Sequence, residues 1–265
     1  MGASRRTLSR SLDPAVTMAA AIDVLDPKHP KRVLIVLSNP SVSEQTGWPI
    51  GFWWAELTHP YWELSRHGYQ IEVASPAGGA LKADPLSDPR DKSGYSADDL
   101  ISLGFINSPE HAALVEESSS LDDIEVGAFD AALFVGGQAP MYTFFNSERL
   151  QALVSAFYEG GKVTAVICHA TCMLLKARLS DGRLLVEGKT WTGFANSEEQ
   201  YADEYVNQKI QPFWIEDEAR KLENTNFIVN ARFKPHAVRD GNLITGQQQY
   251  SGKPAARLII ETLGT

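Results

Sequence analysis

The sequence predicts an α/β fold, a mostly parallel sheet covered by helices on both faces. Three observations point to it. Short apolar runs rich in β-branched residues alternate along the chain with longer stretches of helical periodicity. The first two such runs, KRVLIVLSNP and YQIEVASP, flank one helical stretch and complete a β-α-β unit within about forty residues, the length such a crossover needs. Near the C-terminus, AVRDGNLITG reads as a hairpin turning at Asp240-Gly241, which places an antiparallel pair near one edge of the sheet.

Each element follows from local chemistry. KRVLIVLSNP is a buried strand after a basic, proline-bounded loop, so the folded domain is expected to begin near Lys31. GFWWAELTHPYWELSRHG carries Phe52, Leu57, Tyr61 and Leu64 at spacings of three to five, with Gly68 as a stop, and reads as an amphipathic helix that Pro60 should kink or restart. YQIEVASP is the second strand. From Gly78 to about Ser108 the chain is rich in Gly, Pro, Asp and Ser and reads as a loop-rich insertion. A helix over Pro109–Glu117 follows, then the strand FDAALFVGGQAP ending at Gly136-Gly137. NSERLQALVSAFYEGGK is a helix with Asn146 or Ser147 as N-cap and Gly160-Gly161 as stop. KVTAVICH is a fourth strand and ATCMLLKARL the helix after it; KTWTGFA and NFIVNA read as strands, with helices expected from Ser197, over Ile215–Leu222 and over Lys253–Leu263.

Composition narrows the function. A chain of 265 residues, 43% hydrophobic and 22% charged, fits one globular domain over residues 31–265. A net charge of −9 leaves no broad basic surface for nucleic acid or an anionic membrane, and a small-molecule site fits better. Two cysteines only four residues apart form no disulfide framework, which suggests a reducing, cytoplasmic setting. No apolar stretch approaches the ~18 residues of a membrane span. Residues 1–30 read as a mobile tail: SRRTLSR has the paired arginines of an export signal, but Asp13, Pro14 and Asp23 interrupt the segment that follows.

The chemistry concentrates in AVICHATCMLL. Cys168 stands where a buried strand ends and a helix begins, the crest on which α/β folds expose reactive groups. Amides at such a helix start favour a thiolate and can hold an oxyanion. His169 serves as its base only if a sharp bend turns the ring back to the sulfur, because adjacent residues of a regular element point apart. A buried structural cysteine is the competing reading. Zinc is a poor fit, since no fourth Cys or His lies near Cys168, His169 and Cys172, and Cys172 reads as packing. Gly136-Gly137 ends another strand and could present further amide donors on the same crest.

These features resemble the ThiJ/PfpI superfamily, and within it the chaperone and glyoxalase III branch. The resemblance runs from Lys31 to Leu263 through TGWPIGFWWAELTHPYWEL, VGGQAPMYTF, FYEGGKVTAVICHATCMLL, TWTGFANSEEQ and DGNLITGQ, in family order. It implies a flavodoxin-like fold with Cys168 as the nucleophile on a strand-to-helix elbow and His169 as its partner. It further implies that Glu56 is the acid held against the sulfur and that Glu199, with Glu198 as alternative, orients the histidine. Gly136, Gly137 and Gln138 would form the oxyanion and substrate-binding loop. The implied reaction is a glyoxalase III-type conversion of a small 2-oxoaldehyde to a 2-hydroxy acid, free of cofactor and metal. An amidase, peptidase or deglycase using the same thiol is the alternative on an acyl or other carbonyl substrate, and a stress chaperone or redox sensor a third reading. A homodimer is implied as well. The chain departs from the family pattern at Gln138, where histidine is common, at Ala170, where glycine is common, and at GQQQYSG, where Gly-Gln-Asn-Pro is usual. Trp48, Trp53 and Trp54 would add bulk near the site entrance or pack against a partner subunit.

Overall fold

The computed structural model describes residues 30–264, and the expectations for the N-terminal tail lie outside them. Among the described residues, eleven strands run β1 Arg32–Val36, β2 Ser41–Val42, β3 Pro49–Ile50, β4 Gln70–Ser75, β5 Ser119–Ser120, β6 Ala131–Phe134, β7 Val163–Ile167, β8 Thr190–Trp191, β9 Asn226–Phe227, β10 Ala237–Asp240 and β11 Leu243–Gly246. The eight α-helices among the same described residues are α1 Trp54–Arg66, α2 Leu100–Asn107, α3 Pro109–Glu116, α4 Pro140–Thr143, α5 Glu148–Glu159, α6 Asn196–Val206, α7 Ile215–Ala219 and α8 Gly252–Leu263.

Seven strands form one sheet in the order β10-β11-β7-β6-β1-β4-β5, parallel throughout except for β10, which pairs antiparallel with β11 at the edge. Every residue of β6 and β7 is buried, as are four of the five in β1. Strands covered on both faces need no polar alternation, which is why these segments read as continuous apolar runs. Helix α1 packs against α8, and α5 packs on β6 and β7. The Ser147 hydroxyl accepts from the Leu150 amide at 3.3 Å and starts α5. No helix among the described residues is long and apolar enough to cross a membrane.

The register sets up the site. Val36 pairs with Phe134, and Phe134 with Val166, so β1, β6 and β7 end level with one another. The residues that follow, Gly136-Gly137 after β6 and Cys168 after β7, therefore emerge side by side at the carboxyl edge of the sheet.

Several local expectations are corrected. Pro60 does not restart the helix: α1 runs unbroken over thirteen residues, and the proline ring abuts Gly252 at the start of α8, where a Cβ would lie 3.0 Å from it. Packing between the two helices offsets the hydrogen bond that proline cannot make. The segment after Cys168 is an eight-residue 3-10 helix, Cys168–Leu175, rather than an α-helix. The insertion is not all loop, because α2 occupies Leu100–Asn107, with the Asp99 carboxylate capping the Ser102 amide at 3.1 Å. The helix expected to reach Leu222 stops at Ala219. The strands expected in KTWTGFA and NFIVNA shrink to two residues each, β8 and β9, paired with each other outside the main sheet.

Candidate functional site

Cys168 adopts φ 55°, a left-handed conformation unusual for a residue with a side chain. This is the bend that lets adjacent residues converge: the His169 ring turns back so that Nδ1 lies 3.3 Å from the Cys168 sulfur. The Cys168 carbonyl is satisfied by the Thr171 hydroxyl at 2.6 Å, which holds the turn. Phe194 stacks on the imidazole with centroids 4.0 Å apart.

Glu199 reaches His169 from the first turn of α6, with Nε2 donating to Oε1 at 3.0 Å. That bond leaves Nδ1 of a neutral ring free to accept the thiol proton. Burial disfavours an imidazolium here, but the Glu199 charge and hydrogen bond, with Glu56 and Asp84 farther off, hold the His169 pKa above its ordinary value. Glu198 turns elsewhere. Its carboxylate accepts from the Ala195 and Phe233 amides and from the Gln247 side chain, and so ties the start of α6 to two loops.

Glu56 lies fully buried in the first turn of α1. Its Oε2 accepts from the Gly136 amide at 2.8 Å, and the carboxyl faces the Cys168 sulfur. Burial lifts its pKa from 4.5 to about 7, against the pull of Cys168 and Gly136. Burial, and after it the Glu56 charge, push the Cys168 thiol well above its ordinary pKa, while the amides of Gly137 and His169 aimed at the sulfur lower it. Of the loop expected to hold an oxyanion, the Gly137 amide faces the sulfur, whereas the Gly136 amide is bound to Glu56 and the Gln138 amide to Asp84.

Two glycines are required by close approach. A Cβ at Gly136 would stand 2.7 Å from the Cys168 Cβ and 2.8 Å from Glu56 Oε2, filling the space the carboxyl and thiol share. Gly137, at φ 105°, would drive a Cβ to 2.5 Å from the Gly51 carbonyl.

The sequence reading missed Asp84. It is fully buried, accepts from the Gly51 amide at 3.0 Å and the Gln138 amide at 2.6 Å, and thereby clamps the strand before α1 to the loop after β6. Burial raises its pKa to about 7. An Asp before a proline in ADPLSDP signals a turn and carries no hint of burial. The three tryptophans also part company: Trp53 lines the cavity over Cys168, Trp54 is buried against Phe52 and Phe105, and Trp48 is exposed.

A cavity of about 60 Å³ opens over the sulfur, walled by Trp53, Tyr95, Gln138, Phe194, Tyr205 and Gln249 among others. Tyr95, Phe194, Tyr205 and Gln249 were not singled out from the sequence, because nothing local marks a side chain as facing a site built by distant strands.

A sequence profile of the DJ-1/PfpI family matches residues 51–262. The chain is 24% identical over 262 residues to a Schizosaccharomyces pombe protein named a probable glutathione-independent glyoxalase, an alignment covering 89% of this chain and 100% of that one. It is 26% identical over 163 residues to the deglycase PfpI of Pyrococcus furiosus, covering 62% of this chain and 75% of that one. Among solved structures, glyoxalase III of Candida albicans superposes with a TM-score of 0.71 at 22% identity, covering 88% of this chain and 97% of that one.

Proposed function

The chain belongs to the DJ-1/PfpI family, and on that premise we propose that it is a Cys168-dependent glyoxalase III-type enzyme, converting a small 2-oxoaldehyde such as methylglyoxal to a 2-hydroxy acid. The observation that carries the reading is the strained Cys168 elbow, with the thiol set between Glu56 and His169 beneath a small cavity. The glyoxalase names of two relatives support the substrate class.

The reaction starts with a proton. Moving it from the sulfur to Glu56 makes the carboxyl neutral and a donor, removing the charge that opposes a thiolate, while the Gly137 and His169 amides stabilise the sulfur anion. The thiolate adds to the aldehyde carbon, and the resulting oxyanion takes the same two amides before it is protonated. Glu56 or His169 then removes the hydrogen from that carbon, forming an enediol, and a proton is returned to the neighbouring carbon. The product is a thioester of the 2-hydroxy acid. Water cleaves it, releasing the acid and the thiol. The aldehyde carbon loses the two electrons that the ketone carbon gains, so the reaction balances with water alone. His169, held in one orientation by Glu199, relays protons in the addition and the hydrolysis.

Deglycation is the second reading, favoured by the likeness to the Pyrococcus furiosus deglycase, because the same thiol and amide donors would serve an adduct at an amine. Incubation with methylglyoxal alone, followed by assay of D- and L-lactate, tests the first reading. Absence of lactate, together with release of free amine from a methylglyoxal-treated peptide, would replace it with the second. We further propose a homodimer acting in the cytoplasm, to be checked by light scattering and by cell fractionation.

A further inference from the structure

The chamber over Cys168 has a larger neighbour. A cavity of about 410 Å³ lies beside it, and three residues, Trp53, Tyr95 and Gln249, line both. They come from distant parts of the chain: the residue before α1, the loop ahead of α2, and the turn leading into α8. The Tyr95 ring meets Trp53 edge-on at 6.1 Å and Tyr205 at 5.7 Å, and the Gln249 side chain sits beside the Tyr95 hydroxyl. Gln249 is buried, while Tyr95 and Trp53 are half-buried, as a wall between two spaces should be.

The volumes decide what this wall does. The space over the sulfur, about 60 Å³, is much the smaller of the two, against about 410 Å³ on the other side of the wall. Methylglyoxal has five non-hydrogen atoms and phenylglyoxal ten, so a narrow chamber behind this wall discriminates against the second more strongly than against the first. Gln249 also belongs to GQQQYSG, one of the places where the chain leaves the usual family pattern, so the partition is a property of this sequence.

We infer that Trp53, Tyr95 and Gln249 form a specificity-determining partition that restricts the Cys168 chamber to small 2-oxoaldehydes, and that opening it admits bulkier ones by joining the outer cavity to the site. This rests on the oxoaldehyde reading above, but the partition has a readout of its own. Tyr95 is the residue to shorten, since its side chain comes from a loop outside the sheet, whereas the Trp53 amide donates to the Gly136 carbonyl at 3.2 Å and helps hold the oxyanion loop.

The experiment compares wild type with Tyr95→Ala, Gln249→Ala and Tyr95→Phe. One readout is kcat/KM for phenylglyoxal relative to methylglyoxal. The other is the rate of Cys168 alkylation by N-phenyl iodoacetamide relative to iodoacetamide, followed by mass spectrometry with Cys168→Ala as the blank. Tyr95→Ala should raise both ratios tenfold or more, Gln249→Ala about threefold, and Tyr95→Phe should leave both within twofold of wild type. Ratios within twofold of wild type in a folded Tyr95→Ala protein would overturn the partition, and if that variant fails to fold, Gln249→Ala decides. If wild type turns over neither aldehyde, the oxoaldehyde reading falls, and the alkylation ratio alone upholds or overturns the partition.

Discussion

The 3-10 helix Cys168–Leu175 holds two cysteines in almost equal burial, one at its first residue and one in its middle. At its first residue the backbone bends through φ 55°, and the sulfur meets a carboxyl, an imidazole and two amides. One turn on, Cys172 donates its S–H to the Pro140 carbonyl at 3.4 Å, and burial pushes its pKa far up. Enclosure alone makes an inert thiol. Proton acceptors in reach of the sulfur and donors aimed at the anion are what separate the first position from the second.

The sharpest way to break this contrast is to exchange the two cysteines' fates. Cys168→Ala is expected to lower turnover of methylglyoxal by ~10⁴-fold or more while the melting temperature stays within a few degrees of wild type. An active Cys168→Ala protein would end the assignment.

Glu56→Gln comes next. Activity should fall on the order of 100-fold, the usual size of a lost acid-base group, while stability moves the opposite way. A carboxyl whose pKa is raised by folding from 4.5 to about 7 stabilises the protonated native state at low pH. That advantage is lost as pH rises from 4.5 through 7. Above pH 7 the ionised group costs the fold about 3 kcal/mol. The glutamine variant should therefore be the more stable at pH 8, with the gain shrinking below about 1 kcal/mol at pH 5; chemical denaturation at both pH values checks the sign.

Glu199→Gln should cost about ten- to a hundredfold in kcat and move the acid limb of the pH-rate profile to lower pH, because the charge holding the His169 pKa up is gone. Glu198→Gln should spare that profile and lower the melting temperature instead, as its bonds to Ala195, Phe233 and Gln247 are structural. Equal pH profiles for the two variants would dissolve the distinction.

Cys172→Ala should keep kcat/KM within about twofold and lose roughly 1 kcal/mol through the small cavity it leaves. The smallest effect is expected at Ala170, fully buried two residues after Cys168. Ala170→Gly should change kcat/KM by no more than about threefold while lowering stability by about 0.5–1 kcal/mol through added backbone freedom. A larger kinetic change would mean that the methyl group shapes the oxyanion site.

Much of the fold was legible because β1, β6, β7 and the β10–β11 hairpin are each specified by contiguous residues. The strand-to-helix junction at Cys168 was legible too, from an apolar run ending in Cys-His, while the elbow itself was legible only through the family resemblance. The failures share a cause. Pro60 is tolerated because α8 packs on it from nearly two hundred residues away, and the segment after Cys168 tightens to a 3-10 helix where it packs among α4, α5 and α7.

By itself the sequence determined the alternation of strands and helices and the strand-to-helix junction at Cys168. These are consequences of interactions reaching only a few residues along the chain. The resemblance preferred Glu199 to Glu198, and the tertiary structure sets Glu199 against His169 and turns Glu198 away, because neighbours on a helix point about 100° apart and the direction of His169 is set by a different strand. Only the tertiary structure buried Asp84 between two loops and set Tyr95 in the wall of the cavity that Cys168 also lines. Sheet order and register decide such meetings, bringing together segments near residues 53, 95, 137, 168, 199 and 249 that share no local signal.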